Sequence, residues 1–175
     1  MIIAVNELMK LPDFVGLDKD IIADKLNAAE LMIRAYTNNN FQNRYVRFVT
    51  NSSGNRLFGT SDFLKVGDTV QISQSKVNDG LYTIIEIGDD FIQLDADLYN
   101  YPENVVTKVE YPADVKAGLL ELLKWDVKNR VKTGIQSETL SRHSVTYFSQ
   151  DASNQVMGYP VILLGFLKPY IKARF

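Results

Sequence analysis

The sequence predicts an α+β chain: a helical-bundle core, of two long helices plus a short C-terminal helix, interrupted by an inserted small antiparallel β-barrel. Three observations predict it. Apolar residues recur at steps of three and four towards both ends, short β-branched and aromatic runs separated by turn residues fill the middle, and the period changes near residues 42 and 111. The expected domains are a helical core from residues 1–42 and 112–175 and an inserted β domain from 43–111. Such an insertion works sterically when its two ends lie close together, as antiparallel packing of the two long helices allows.

The first long helix is read from Asp18 to about Asn38. Ile22, Leu26, Ala29, Ile33 and Tyr36 form one apolar stripe, Asp18 suits the N-cap after Gly16-Leu17, and Asn38-Asn39-Asn40 is a polar stop. Asp20 suits the positive end of the helix dipole. Ahead of it, Val5 to Met9 is expected to form a short helical turn ended by Pro12.

From Arg44 the pattern becomes β-type. Tyr45–Val49, Thr69–Ser73, Leu81–Ile87, Phe91–Leu94 and Val105–Val109 are the expected strands. Asn51-Ser52-Ser53-Gly54-Asn55, Val66-Gly67-Asp68, Asn78-Asp79-Gly80 and Gly88-Asp89-Asp90 carry turn chemistry, and Asp79-Gly80 is the sharpest hairpin signal because both residues tolerate positive φ. Val70 and Ile72 point to one face of their strand, Thr69, Gln71 and Ser73 to the other. Short strands in so few residues favour a closed barrel over a sheet with two exposed edges.

Pro112 restarts the helical period at the first helical position, where its missing N–H costs nothing. Val115, Leu119, Leu122, Leu123, Val127 and Val131 form the buried stripe of the second long helix, Lys124, Lys128 and Lys132 a solvated one, and Gly134 its stop. A short strand is expected at Ser144–Phe148. A last helix is expected from Pro160 through Val161–Lys168, with Pro169 breaking it before the basic end Lys172-Ala173-Arg174-Phe175. The run Tyr159 to Leu167 is apolar nearly all round, so one stripe is expected in the core and the remainder against a second surface. Trp125 is read as a core or interface residue, because aromatics are enriched at interface hot spots.

Composition removes most chemistry. The chain has 175 residues, no cysteine and a single histidine, so disulfides, thiolate metal sites, a cysteine nucleophile and a multi-histidine metal site are excluded. His143, near Ser137, Glu138, Ser141 and Ser144, has no catalytic signature around it and is read as a surface or loop histidine. Asp89, Asp90, Asp95 and Asp97 lack the spacing of a hard-cation loop and are read as solvated turn residues. Neither phosphate-binding glycine motif occurs. No catalytic, cofactor-binding or metal residue is assigned, and the chain is expected not to be an enzyme.

The net charge of −2 is a sum of unlike segments: −2 over residues 1–42, −4 over 43–111 and +4 over 112–175. A weakly acidic whole argues against a general nucleic-acid binder. The longest apolar stretch, Val161–Leu167, is too short to cross a bilayer, and the N-terminus MIIAVNELMK has no positive region ahead of its apolar residues, so the expected place of synthesis is a cytoplasm.

Three segments carry a family resemblance: Asp18 to Tyr36, the Tyr111-Pro112 helix with Leu-Leu-Lys-Trp-Asp-Val-Lys-Asn-Arg, and SETLSRHSVTYF followed by GYPVILLGFLKPYIKARF. In this order they resemble the head–tail connector proteins of long-tailed bacteriophages and prophages, also called head completion or DNA-packaging adaptor proteins. The resemblance covers roughly residues 1–42 and 112–175. Compact members of that family lack a β unit of the kind this chain inserts, and relatives often have a glycine after Ser-Glu where this chain has Ser141. The insert, with FLKVGDTVQISQSKVNDGLYTIIEIGDDFIQL, looks like a small β-barrel module of phage virion proteins.

The resemblance implies a structural virion protein at the head–tail interface, made in the bacterial host cytoplasm, with no cofactor and no membrane. Its implied partners are the portal protein, a stopper or tail-completion protein, and further copies of itself in a dodecameric ring through which DNA passes without sequence-specific binding. The implied portal or subunit contacts are Trp125, Tyr159, Val161, Leu164, Phe166, Leu167, Tyr170, Lys172, Arg174 and Phe175. The alternative is a nucleic-acid-binding module that uses the β insert, with Tyr45, Phe48, Phe58, Tyr82 and Phe91 as exposed stacking residues.

Overall fold

A computed structural model describes residues 1–129, 137–140, 143–146, 155–156 and 158–173. The chain forms two compact units, Met1–Ala4 with Asn40–Tyr111, and Val5–Asn39 with Pro112–Phe175. The first four residues run with the β unit. There Ile2 is buried and the amino group of Met1 donates to Thr69 Oγ1.

The β unit is one four-stranded antiparallel sheet of β1 (Gln42–Leu57), β2 (Thr69–Ser73), β3 (Gly80–Ile87) and β4 (Ile92–Val109), in the order β1-β4-β2-β3 with a further β4–β3 pairing. Its core follows from alternation. Val70 and Ile72 of β2, Ile84 of β3, and Ile92, Leu94 and Val106 of β4 pack on Leu57 and Leu64. Burying each such side chain contributes about 1.5–3 kcal/mol.

The expected closed barrel is not formed. β4 spans 18 residues, so β2 pairs with its C-terminal end (Thr69 opposite Val109) while β3 pairs with its N-terminal end (Ile84 opposite Leu94). Among the described strands β1 pairs with β4 alone, which leaves an edge rather than a seam. That edge is blunted in two ways. Its register shifts between Asn43 and Arg47, and it carries Arg44 and Arg47.

Two turns are also corrected. Asn51–Asn55 lies inside β1, whose pairing with β4 shifts at Thr50/Ser52, Ser52/Gly54 and Gly54/Arg56, with Gly54 at φ +58°. Asp79-Gly80 is not a two-residue turn: Ile72 pairs with Gly80, and the positive φ values fall on Gln74 and Lys76. Asp79 instead staples the longer loop, its Oδ1 accepting from Ser75 N at 2.8 Å.

The second unit holds α1 (Val5–Leu8), a 3-10 turn at Pro12–Phe14, α2 (Lys19–Thr37) and α3 (Ala113–Asn129). Asp18 caps α2 as its sequence implies, accepting from Asp20 N at 2.8 Å and Ile21 N at 3.2 Å, and Asn38 closes it in the left-handed region at φ 48°. The stripe Ile22, Leu26, Ala29 and Ile33 is buried, as are Val115, Leu119, Leu122 and Leu123 of α3. Pro112 sits one residue earlier than expected, its carbonyl accepting the first helical bond from Lys116 N at 3.2 Å. Val131, Lys132 and Gly134 lie outside the described residues.

After α3 come two short hairpins, β5 (Ser137–Leu140) with β6 (His143–Thr146) and β7 (Gln155–Val156) with β8 (Tyr159–Pro160). The expected strand from Ser144 begins at His143, and its end at Tyr147-Phe148 lies outside the described residues. The last element, Val161–Tyr170, is a 3-10 segment rather than an α-helix and runs through Pro169. Gly165 and Pro169, which has no N–H to give, weaken the α ladder there. The described residues therefore contain three α-helices, of which two are long, beside a 3-10 segment, and this is not the expected helical-bundle core.

Candidate functional site

Of the residues that the sequence nominated as contacts, those described lie on the second unit, around the 3-10 segment. Leu164 and Leu167 are 2% and 0% exposed, so they hold the segment to its own unit and are not a docking surface. Phe166 lays its ring on Gly118 of α3, in the space that a Cβ would occupy. Trp125 and Tyr159 are half-buried with ring centroids 5.9 Å apart. Tyr170 donates its phenol to Asp114 at 2.8 Å, and that bond pushes its pKa up. Val161 is exposed, and so is Lys172. Arg174 and Phe175 lie outside the described residues.

The end of the segment is tied to the C-terminus of α2. Lys172 N donates to Thr37 O at 2.8 Å, Asn38 Nδ2 to Ala173 O at 2.9 Å and Asn39 Nδ2 to Tyr170 O at 3.2 Å. The run Asn38-Asn39, read from sequence as a simple polar stop, thus also fastens the tail. Ile171, between these bonds, is 49% exposed, and Ile162 is 74% exposed.

At the other end of α2 an open groove of about 400 Å³ is walled by Leu17, Ile21, Ile22 and Val127. At its lining Lys25 Nζ donates to Asp126 Oδ2, and the Asp126 carboxylate is buried. Sequence reading missed this groove. Ile21 breaks the apolar period of α2 and is 57% exposed, and that irregularity was the available signal.

The lysine stripe of α3 is engaged within its own unit. Lys124 pairs with Glu121 at 2.8 Å, and that hydrogen bond raises its pKa. Lys128 pairs with Asp13 at 2.7 Å and holds the Asp13 carboxyl below its usual range. Lys132 lies outside the described residues.

In the β unit a buried polar knot joins three strands and a loop. Asn78 Nδ2 donates to Tyr99 O at 2.9 Å, Tyr99 N donates back to Asn78 Oδ1 at 2.8 Å, and Asn104 Nδ2 donates to Thr50 O at 3.1 Å. Ser52 Oγ donates to Tyr99 O at 2.7 Å. These bonds satisfy groups that the bulges in β1 and β4 would otherwise leave without partners. Tyr82 donates to Asn78 O at 2.9 Å, and burial, with Asp79 and Asp95 adding, pushes its phenol pKa up.

Of the five aromatic residues proposed to stack bases, Tyr45 and Phe58 are exposed. Phe48 and Tyr82 pack against the core, and Arg56 covers the ring of Phe91 at 4.4 Å. Asp89, Asp90, Asp95 and Asp97 are all exposed, and Asp95 accepts from Thr83 N at 2.9 Å. Among the described residues no three His, Cys, Asp or Glu side chains converge, and no helix is long and apolar enough to cross a membrane. His143 lies on β6. No family model matches the chain, and no curated protein is significantly similar to it. The functional reading therefore rests on the residues themselves and on the surfaces that these elements build.

Proposed function

We propose that this chain is a structural protein of a tailed bacteriophage or prophage virion: a ring-forming head–tail connector that binds the portal, extends the DNA channel and docks the next tail-completion protein. The observation that carries the reading is the ordered likeness of three separated segments to such connectors. Its support from the fold is that these segments belong to one unit, where the C-terminal 3-10 segment packs back on α3 and α2. The β unit supplies the docking surface for the tail component in this proposal, with exposed Tyr45, Phe63 and Tyr99 as contact residues of the kind enriched at interfaces.

A conduit must let DNA slide, so a groove that gripped phosphates would hinder ejection. The charge of −4 over residues 43–111 suits that requirement and opposes single-strand binding. The packing of Phe48 and Tyr82 into the core leaves few of the expected stacking platforms, which favours the connector over the nucleic-acid alternative. The test is to mix the purified chain with purified portal rings and sediment them together. Co-sedimentation is expected. No association, with or without residues 160–175, would sink the connector reading.

A further inference from the structure

We propose that the second unit docks head to tail with a second copy of this chain, Ile171 of one copy entering the α2–α3 groove of the next. The inference rests on the ring-forming reading and names the contact that builds the ring. Both surfaces belong to one unit and lie at opposite ends of α2. The groove walls include Leu17 and Ile21 near its N-terminus, whereas Ile171 is held beside Thr37 and Asn38 at its C-terminus. A helix of 19 residues spans about 28 Å, so one copy cannot bring its own Ile171 into its own groove.

The charges are complementary. The groove lining carries Asp18, Lys25 and Asp126, a net charge of −1, and exposed Lys19, Asp20 and Asp24 on the first turns of α2 add a further −1. Ile171 is flanked by Lys168 and Lys172, both exposed, and no acidic residue occurs from Val161 to Phe175. The three hydrogen bonds between the C-terminus of α2 and residues 170–173 hold Ile171 in place before docking, which lowers the entropy lost on association. A groove of about 400 Å³ has room for one aliphatic side chain with its neighbours. Two unlike patches on one body make a heterologous contact, which closes into a ring where the rotation between copies completes a circle and otherwise extends into a filament.

The absence of cysteine makes the test direct. Single variants Ile21→Cys and Ile171→Cys are oxidised alone and mixed, with and without portal rings, and Leu31→Cys, at an exposed site elsewhere on α2, measures random collision. The mixed pair should cross-link about tenfold faster than Leu31→Cys with Ile171→Cys, the gain expected when docking raises the effective concentration of the two sulfurs. Lys172→Glu should slow the reaction, and Asp20→Lys on the partner copy should restore it. A rate equal to the collision control in both arms overturns the proposal. So does preferential pairing of Ile21→Cys with itself, or cross-linking of Ile21→Cys to the portal instead. Portal binding without this cross-link refutes the contact and leaves the connector reading standing, while the cross-link without portal binding does the reverse.

Discussion

Replacing Gly118 by alanine should destabilise the second unit, although an alanine in a helix interior is normally about 1 kcal/mol better than glycine. The reason is the Phe166 ring, which fills the space where the new Cβ would stand. The ring belongs to a segment anchored by Leu164 and Leu167, both buried, so it cannot retreat freely. Overpacking of this kind costs about 1–3 kcal/mol. Set against the helix gain, the net loss is about 1 kcal/mol, or a fall of roughly 0.5–1 M in the urea midpoint of a unit this size. In a Phe166→Ala background the space is free, and Gly118→Ala should instead stabilise by about 1 kcal/mol. The double-mutant cycle therefore predicts a change of sign and a coupling of about 2 kcal/mol. Trp125, the only tryptophan in the chain, lies on α3 beside Tyr159 and reports the unfolding by its fluorescence. Equal stabilisation by Gly118→Ala in both backgrounds would refute the packing of the 3-10 segment on α3.

Three further outcomes are expected. Asn78→Ala should cost the β unit about 1–3 kcal/mol, because the Tyr99 amide and the buried Asn104 lose a partner; unchanged hydrogen exchange at the Tyr99 amide would contradict the knot. Lys25→Met should cost about 1–3 kcal/mol by taking this partner from the buried Asp126 carboxylate, less than for a fully buried pair because Lys25 is partly exposed, and adding Asp126→Asn should recover part of the loss in Trp125-monitored unfolding. The Tyr170 phenol, hydrogen-bonded to Asp114, keeps its proton to higher pH folded than unfolded, so its contribution is whole below about pH 10 and is lost as pH rises through the folded value. Tyr170→Phe should remove that part of the alkaline fall in stability; an unchanged alkaline slope would show that the bond does not form in solution.

The helices were legible because their determinants are local. Asp18 and Asn38 cap α2 where the side-chain chemistry places them, and the stripes of α2 and α3 are buried as their spacing requires. The alternation of Val70 and Ile72 was equally readable. Pairing was not, because it depends on partners far along the chain. β4 takes three neighbours along its length, and nothing local in Asp95–Asn104 distinguishes a bulged strand from a loop. The same holds for Asn51–Asn55, whose turn-like residues are absorbed into β1 through Ser52 and its bonds. The apolar run Val161–Leu167 carried a helical reading, yet its neighbours Gly165 and Pro169 favour the tighter 3-10 form.

For the candidate contact surface, sequence marked a segment but not which of its side chains face outward. Leu164 and Leu167 turn inward, while Ile162 and Ile171 face out. Side-chain direction in a 3-10 segment repeats at three residues rather than 3.6, so a helical projection misassigns the outward face. The groove beside Ile21 arises from two helices at once and has no signature in either alone.

The central claim is that the chain is a passive ring component at the portal, and electron microscopy of portal rings incubated with the purified chain tests it most directly. One added ring of density coaxial with the portal is expected, saturating at one chain per portal subunit, with the central channel left open. Portal rings that remain bare at saturating concentration, or a channel plugged by the added protein, would contradict it.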